Sequence, residues 1–412
     1  MNRGFYTILA AQFFSSLGDN ALLFAAIALL KSIAAPTWQI PVLQQFFVFA
    51  FIIIAPFVGP FSDALPKGRV MLISNAIKMV GCAAMLFGIH PLLAYGLVGL
   101  GAAIYSPAKY GILTEYLPAH RLVWANGWME GLTVAAVILG AIFGGLLIGH
   151  RIEVQVEQQL GQLEFNAGIN TAPEFAILAI FLVYLVALLF NLYIPKLPVE
   201  KTLSKRTIGF FLVDFWRCFL LLWKDPLGQV SLAVTSLFWG AGTTLRFIIL
   251  AWAAASLKLD LEQATQLTAV VAVGLAIGSV IAAKYVPLEH AVKVLPLGIM
   301  MGFVVFLMAF VNDWRMALPT LVLIGVLAGS FVIPMNALLQ HRGHQMMGSG
   351  HSIALQNFNE NISILLMLGA YAMMVGAGLS VEFVVVAFGL FVAAVMAWLT
   401  HKHGHDQISV ED

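Results

Sequence analysis

The chain has 412 residues, of which 61% are hydrophobic and 10% charged, with a mean hydropathy of +0.94. Soluble domains carry about 25% charge, so the composition excludes one and leaves an all-α integral membrane protein. A net charge of +1 argues against a nucleic-acid partner. Cys82 and Cys218, alone in separate segments, give no disulfide framework or metal spacing and read as free thiols.

A membrane helix needs roughly 20 apolar residues. Met1-Asn2-Arg3 runs straight into such a segment, too long for a signal h-region and lacking a cleavage site, so it reads as an uncleaved first helix. Splitting the apolar runs at polar and Pro/Gly breaks gives twelve spans. Six lie near 5–31, 40–62, 70–89, 91–113, 121–149 and 174–195. Six more lie near 226–256, 263–285, 291–311, 315–340, 348–376 and 380–400. The expected organisation is an N-terminal bundle over 1–195, a cytoplasmic linker over 196–225, a C-terminal bundle over 226–400 and a cytoplasmic tail over 401–412.

The first span carries Gly18-Asp19-Asn20 near its middle. A carboxylate there costs about 2.5–3.5 kcal/mol on insertion scales, so a partner charge or a polar pathway is expected beside it. After the second span come Gly59-Pro-Phe-Ser-Asp63 and Lys67-Gly68-Arg69. This resembles the loop signature of the major facilitator superfamily, although Ala64-Leu65-Pro66 stands where polar or basic residues are common. The glycine lets helices approach, Asp63 faces the positive end of the next helix, and Lys67 and Arg69 are expected to hold the turn at the cytoplasmic surface.

The outer segment His150–Glu174 is acidic and reads as a partly helical excursion. In the linker, an aromatic stretch with Asp214, Trp216, Arg217 and Trp223 reads as a helix lying in the headgroup region. Orientation follows from the basic residues. With both termini cytoplasmic, Arg3, Lys67, Arg69, Arg121, Lys196, Lys201, Lys205, Arg206, Arg217, Lys224, Lys284, Lys293, Arg342 and Lys402 are inside. Only Lys31, Arg151, Lys258 and Arg315 are outside.

The two halves repeat. Pro107 and Pro334 each fall late in the fourth span of a half. Each is followed by an amide four residues before a glutamate, Asn126 with Glu130 and Gln356 with Glu360. Two pseudo-symmetric six-helix bundles of the parallel-repeat transporter type are therefore expected.

Ionisable residues inside spans are Asp19, Lys78, Lys109, Glu130, Arg246 and Glu360, three acids and three bases. Unpaired, they would cost roughly 15–20 kcal/mol, so pairing or water access is required. An Asp19–Arg246 pair across the cavity and a Lys109–Glu360 pair are expected to alternate as switches. Glu130 is a second possible partner for Lys109, and Lys78 is expected to snorkel to the inner surface. Asn20, Gln12, Gln356, Asn357 and Asn359 add groups able to hydrogen-bond a headgroup.

The segments LGDNALLFAAIALLK (17–31), YSPAKYGIL (105–113), SLFWGAGTTLRF (236–247), PMNALLQHRG (334–343) and ALQNFNEN (354–361) resemble the bacterial lysophospholipid transporters of that superfamily, over essentially the whole chain. The resemblance implies a multi-pass protein of the bacterial inner membrane. It would move lysophosphatidylethanolamine and lysophosphatidylglycerol to the cytoplasmic leaflet. An acyltransferase/acyl-carrier-protein synthetase would then act there as the functional partner, alongside membrane lipids. It also implies that Asp19, Lys109, Arg246 and Glu360 are the functional intramembrane charges.

The alternative within transport is a proton-coupled exporter of amphiphilic drugs, with Asp19, Glu130 or Glu360 as proton carrier. A membrane-bound acyltransferase using His401 and Asp406 is disfavoured, because those residues sit in a polar tail with no fold around them. His341, His344 and His351 read as headgroup-region residues of the turn between spans ten and eleven. No phosphate-cradling glycine loop, cofactor site or metal site is expected, so the chain is not read as an enzyme.

Overall fold

The computed structural model describes residues 3–36, 39–149, 171–199, 207–259 and 261–404. Most of the acidic outer segment, Lys201, Lys205 and Arg206 of the linker, and His405 and Asp406 of the tail lie outside the described residues. The helices of the first half are α1 (Arg3–Ser32), α2 (Gln39–Asp63), α3 (Lys67–Leu86), α4 (Pro91–Tyr116), α5 (Leu122–Leu147) and α6 (Ala172–Leu192). The linker contributes α7 (Ile208–Lys224). The second half has α8 (Pro226–Ser256), α9 (Leu261–Tyr285), α10 (Leu295–Met308), α11 (Trp314–Met347), α12 (Ser349–Gly376) and α13 (Val381–His403). Among the described residues, twelve helical segments are long and apolar enough to cross a membrane, α10 together with the 3-10 helix before it counting as Leu288–Met308, and they match the twelve apolar runs. Pro107 and Pro334 both lie inside long helices, α4 and α11.

Helix ends are fixed by local chemistry. Thr171 and Glu174 form a reciprocal capping box at the start of α6, and Asp313 and Ser380 cap α11 and α13. One boundary departs from expectation. His341 and His344 belong to α11 and His351 to α12, not to a turn, because α11 stays helical to Met347. Gly343 lets this last part of α11 lie directly on Ser352 of α12. The break comes only at Gly348, whose φ of 100° is a conformation that favours glycine.

Contacts divide the chain into two compact units. One comprises Met1–Ile112 and Ala135–Leu212, the other Leu113–Val134 and Val213–Asp412. In the first, Gly140 and Gly144 of α5 meet the α1 backbone at Leu17 and Ala21, where an added Cβ would lie 2.8 Å from each carbonyl oxygen. In the second, Gly274 and Gly278 of α9 lie against Gly325, Val326 and Gly329 of α11. Small residues allow this approach, which is how helices associate where lipid offers no hydrophobic driving force. On the spanning helices, large apolar side chains such as Ile53, Leu146 and Leu366 remain exposed, as lipid-facing surfaces require.

In the second unit the end of α7 is pinned. Leu222 is buried with Leu232, Leu339, Met347 and Leu355. Asp225 then caps α8 through Gly228 N–H, and Arg342 grips the same carboxylate with Nε at 3.0 Å and a second guanidinium nitrogen at 2.7 Å. Burial pushes the Asp225 carboxyl up. The Arg342 and Gly228 hydrogen bonds and the Arg342 charge outweigh it and hold the group below its ordinary value of 3.8. A depressed carboxylate adds stability above its unfolded value, and that stability is lost as pH falls through the lower folded value. Asp225→Asn should therefore lower the thermal unfolding temperature in detergent by the same amount from pH 7 to pH 5. The difference from the parent should close only below about pH 4.

Candidate functional site

In the first unit, Asp19 on α1 and Lys78 on α3 form an ion pair, with Nζ 2.7 Å from Oδ2. Lys78 is 0% exposed, so it does not snorkel to the inner surface as expected. The pair sits in a polar cluster drawn from three helices. Tyr184 of α6 donates its hydroxyl to Asp19 Oδ1 at 2.7 Å. Lys78 also donates to Ser15 Oγ at 3.0 Å, and Ser15 donates to Asn75 Oδ1 at 2.8 Å. The Lys78 ammonium lies over the rings of Tyr105 and Tyr184, at 4.9 and 5.6 Å. Both Asp19 oxygens are thus engaged inside their own unit, where the expectation had paired this carboxylate with Arg246.

The sequence carried a signal for this cluster that went unused. Ser15 and Asp19 share one face of α1 by four-residue spacing, as Asn75, Lys78 and Cys82 share one face of α3. Tyr184 carried none, being one aromatic among many in an apolar span. Gly18 makes the Tyr184 contact possible, since a Cβ there would lie 2.8 Å from Cε1 and 3.0 Å from Cζ of that buried ring. Gly18→Ala should cost about 1–3 kcal/mol by overpacking and push the hydroxyl away from Asp19. Thermal unfolding in detergent measures the cost, with Tyr184→Phe as the variant that loses the hydrogen bond but keeps the ring.

The motif after α2 is also a buried ion pair. Asp63 is the last residue of α2 and Lys67 the first of α3, with Nζ 2.9 Å from Oδ1 and a second bond from Nζ to Ser62 O at 2.8 Å. Lys67 is buried by this pairing, while Arg69 is exposed. Gly59 is buried, and Gly68 at the start of α3 is closely packed, since an added Cβ there would meet Ile194, just past the end of α6, at 3.0 Å.

In the second unit Arg246 of α8 opens on a cavity of about 180 Å³. Its walls include Phe238, Trp239, Met301, Val305 and Phe388, with Thr243 and Thr268 as the hydroxyl groups. Arg246 is the one ionisable side chain in that lining, and it has no hydrogen-bond or ion-pair partner among the described residues. A guanidinium presents a planar fork of donors suited to carboxylate or phosphate oxygens. The cavity therefore offers anion recognition beside an apolar wall.

Lys109, Glu130 and Glu360 are all buried. Lys109 lies over the Tyr110 ring at 4.4 Å, and Gln356 donates to Glu360 Oε1 at 2.7 Å. Asn20 donates back to Ser16 O, and Asn359 to Leu355 O, so both serve their own helices. Gln356 also donates to Asn336 Oδ1 at 2.9 Å. One turn further along α11, Gln340 and Asn126 exchange two amide hydrogen bonds of 2.8 Å.

The Major Facilitator Superfamily pattern matches residues 8–367. The lysophospholipid transporter LplT of Yersinia enterocolitica is 43% identical over 382 residues, covering 92% of this chain and 89% of that one. LplT of Escherichia coli O1:K1 is 43% identical over 404 residues, covering 97% and 96%. Among solved structures, the E. coli fucose:proton symporter superposes with a TM-score of 0.72 at 14% identity, covering 97% of this chain and 99% of that one. A bacterial homologue of the iron transporter ferroportin, in an outward-facing state, gives 0.71 at 15% identity, covering 97% and 100%. At such identities these structures bear on the fold alone.

Proposed function

Because the chain belongs to the major facilitator superfamily and, within it, to the lysophospholipid transporters, we propose that it carries lysophosphatidylethanolamine and lysophosphatidylglycerol to the cytoplasmic leaflet of a bacterial inner membrane. The observation that carries the reading is Arg246, a guanidinium without a protein partner among the described residues, set in a mainly apolar cavity whose other polar side chains include Thr243 and Thr268. A lysophospholipid offers the matching pair of features, one phosphodiester anion and one acyl chain. The phosphate takes the guanidinium fork, and the tail lies along the Phe238, Trp239 and Phe388 wall.

Transport proceeds by alternating access, with the intramembrane charges as the switching elements. Asp19 with Lys78 is the pair in the first unit, and Lys109, Glu130 and Glu360 are the further buried charges. Gln356 positions Glu360, and the Gly59–Arg69 motif ties α2 to α3 through Asp63 and Lys67. Both termini are cytoplasmic by the distribution of Lys and Arg, and α7 lies on the bilayer surface with Val213, Trp216 and Leu220 toward lipid. The delivered lysolipid is re-acylated by an acyltransferase/acyl-carrier-protein synthetase.

The test is movement of defined lysolipids in vesicles containing only this protein. Protein-dependent translocation of lysophosphatidylethanolamine, undiminished when the proton gradient is collapsed, is expected. Translocation of an amphiphilic drug that stops with the gradient, without movement of lysolipid, would overturn the reading in favour of proton-coupled export.

A further inference from the structure

The amide pair between α5 and α11 has no part in the reading above. We propose that Asn126 and Gln340 are an uncharged latch that holds the first part of α5 on α11 and must open in each transport cycle. The proposal rests on the alternating-access reading. By sequence α5 belongs to the first six spans and α11 to the last six, yet Leu113–Val134 forms one compact unit with the C-terminal helices. The remainder of α5 belongs to the other unit, so any rearrangement of the two must act on this stretch.

The contact is built for specificity. Asn126 and Gln340 are 0% and 1% exposed, and each amide both donates to and accepts from the other at 2.8 Å. Asn126 Nδ2 also donates to Leu122 O at 2.9 Å, which employs its second hydrogen. Gly127 next to it lies directly on Ala283 of α9, and a Cβ there would also come within 2.9 Å of Ser279 O. At the end of α4, Glu115 accepts from Ser349 Oγ at 2.9 Å. Asn336, one turn from Gln340 on α11, binds Gln356 of α12 instead. Consecutive amides on one helix thus hold two different helices, α5 by Gln340 and α12 by Asn336.

An amide pair suits a bond that is broken repeatedly. Its parting exposes dipoles and no net charge, so it avoids the desolvation burden that separating a buried ion pair carries. It is also indifferent to salt and to pH in the physiological range. Leaving one buried amide without its partner should shift the latch equilibrium toward release by roughly tenfold.

The experiment uses the full chain with Cys82→Ala and Cys218→Ser and one new cysteine, Ser279→Cys, at the α9 surface that Gly127 covers. Alkylation of that cysteine by a maleimide should run about tenfold faster in Asn126→Leu and in Gln340→Leu than in the parent. In vesicles, N126C/Q340C joined by a bifunctional maleimide should lose transport of lysophosphatidylethanolamine. Equal alkylation rates in the folded variants, or transport at the parental rate in the cross-linked chain, would overturn the latch. If one leucine variant fails to fold, the other and the cross-link still decide. A parent that moves no lysolipid would count against the function, while the alkylation rates would still judge the latch.

Discussion

Lys78→Met should abolish lysophospholipid transport and lower stability by about 3 kcal/mol, at the low end of the cost of removing one partner of a buried ion pair. The low end applies because the Asp19 side chain keeps 20% of its exposure, so water retains some access to the orphaned carboxylate. The loss comes from two sources. Asp19 is left with only the Tyr184 hydroxyl, and the Ser15–Asn75 chain loses the ammonium that it helps to hold. The same logic makes Asp19→Asn a poor single test, since it strands a fully buried ammonium. Thermal unfolding in detergent and transport in vesicles, measured on the same preparation, separate the two effects.

Arg246→Ala should leave thermal stability within about 0.5 kcal/mol, as expected of a side chain with no intramolecular partner to lose. Its effect should fall on substrate. A hydrogen bond to a charged group contributes roughly 1.5–3 kcal/mol, so the lysophosphatidylethanolamine concentration giving half-maximal transport should rise about tenfold to a hundredfold. Arg246→Lys keeps the charge but loses the planar fork, and should fall between the parent and the alanine variant. Concentration dependence of transport checks this. A raised half-saturation with near-parental maximal rate marks a binding role, whereas a reduced maximal rate alone would place Arg246 in switching.

The spans were legible in the sequence because crossing a membrane depends on length and apolarity, both one-dimensional properties. The paired prolines were legible in the same way, since Pro107 and Pro334 each lie inside a long apolar helix, α4 and α11. Partner choice was not legible, because depth does not fix rotation about the helix axis. Lys78 and Arg246 are both bases inside spans, and only the facing of α3 toward α1 and α6 assigns Lys78 to Asp19. The four-residue spacing of Ser15 and Asp19, matched by Asn75, Lys78 and Cys82, pointed that way. The end of α11 was misread for a different reason. His341-Arg342-Gly343-His344 looks like a solvated turn, yet Arg342 is held by Asp225 and Gly343 lies on Ser352, so protein contacts replace solvent. The amide of Asn126 was noted as part of a repeat, but its partner Gln340 lies 214 positions away and carries no charge to announce it.

The most direct measurement replaces both members of the central pair at once. Exchanging a buried ion pair for uncharged groups of similar size is often close to neutral for folding. Asp19→Asn with Lys78→Met should therefore yield a folded, monodisperse protein with near-parental thermal stability. In vesicles that double variant should move lysophosphatidylethanolamine at less than one hundredth of the parental rate, about 2.7 kcal/mol in barrier height. Transport at the parental rate by the folded double variant would contradict the account, because the Asp19–Lys78 pair would then be structure without function.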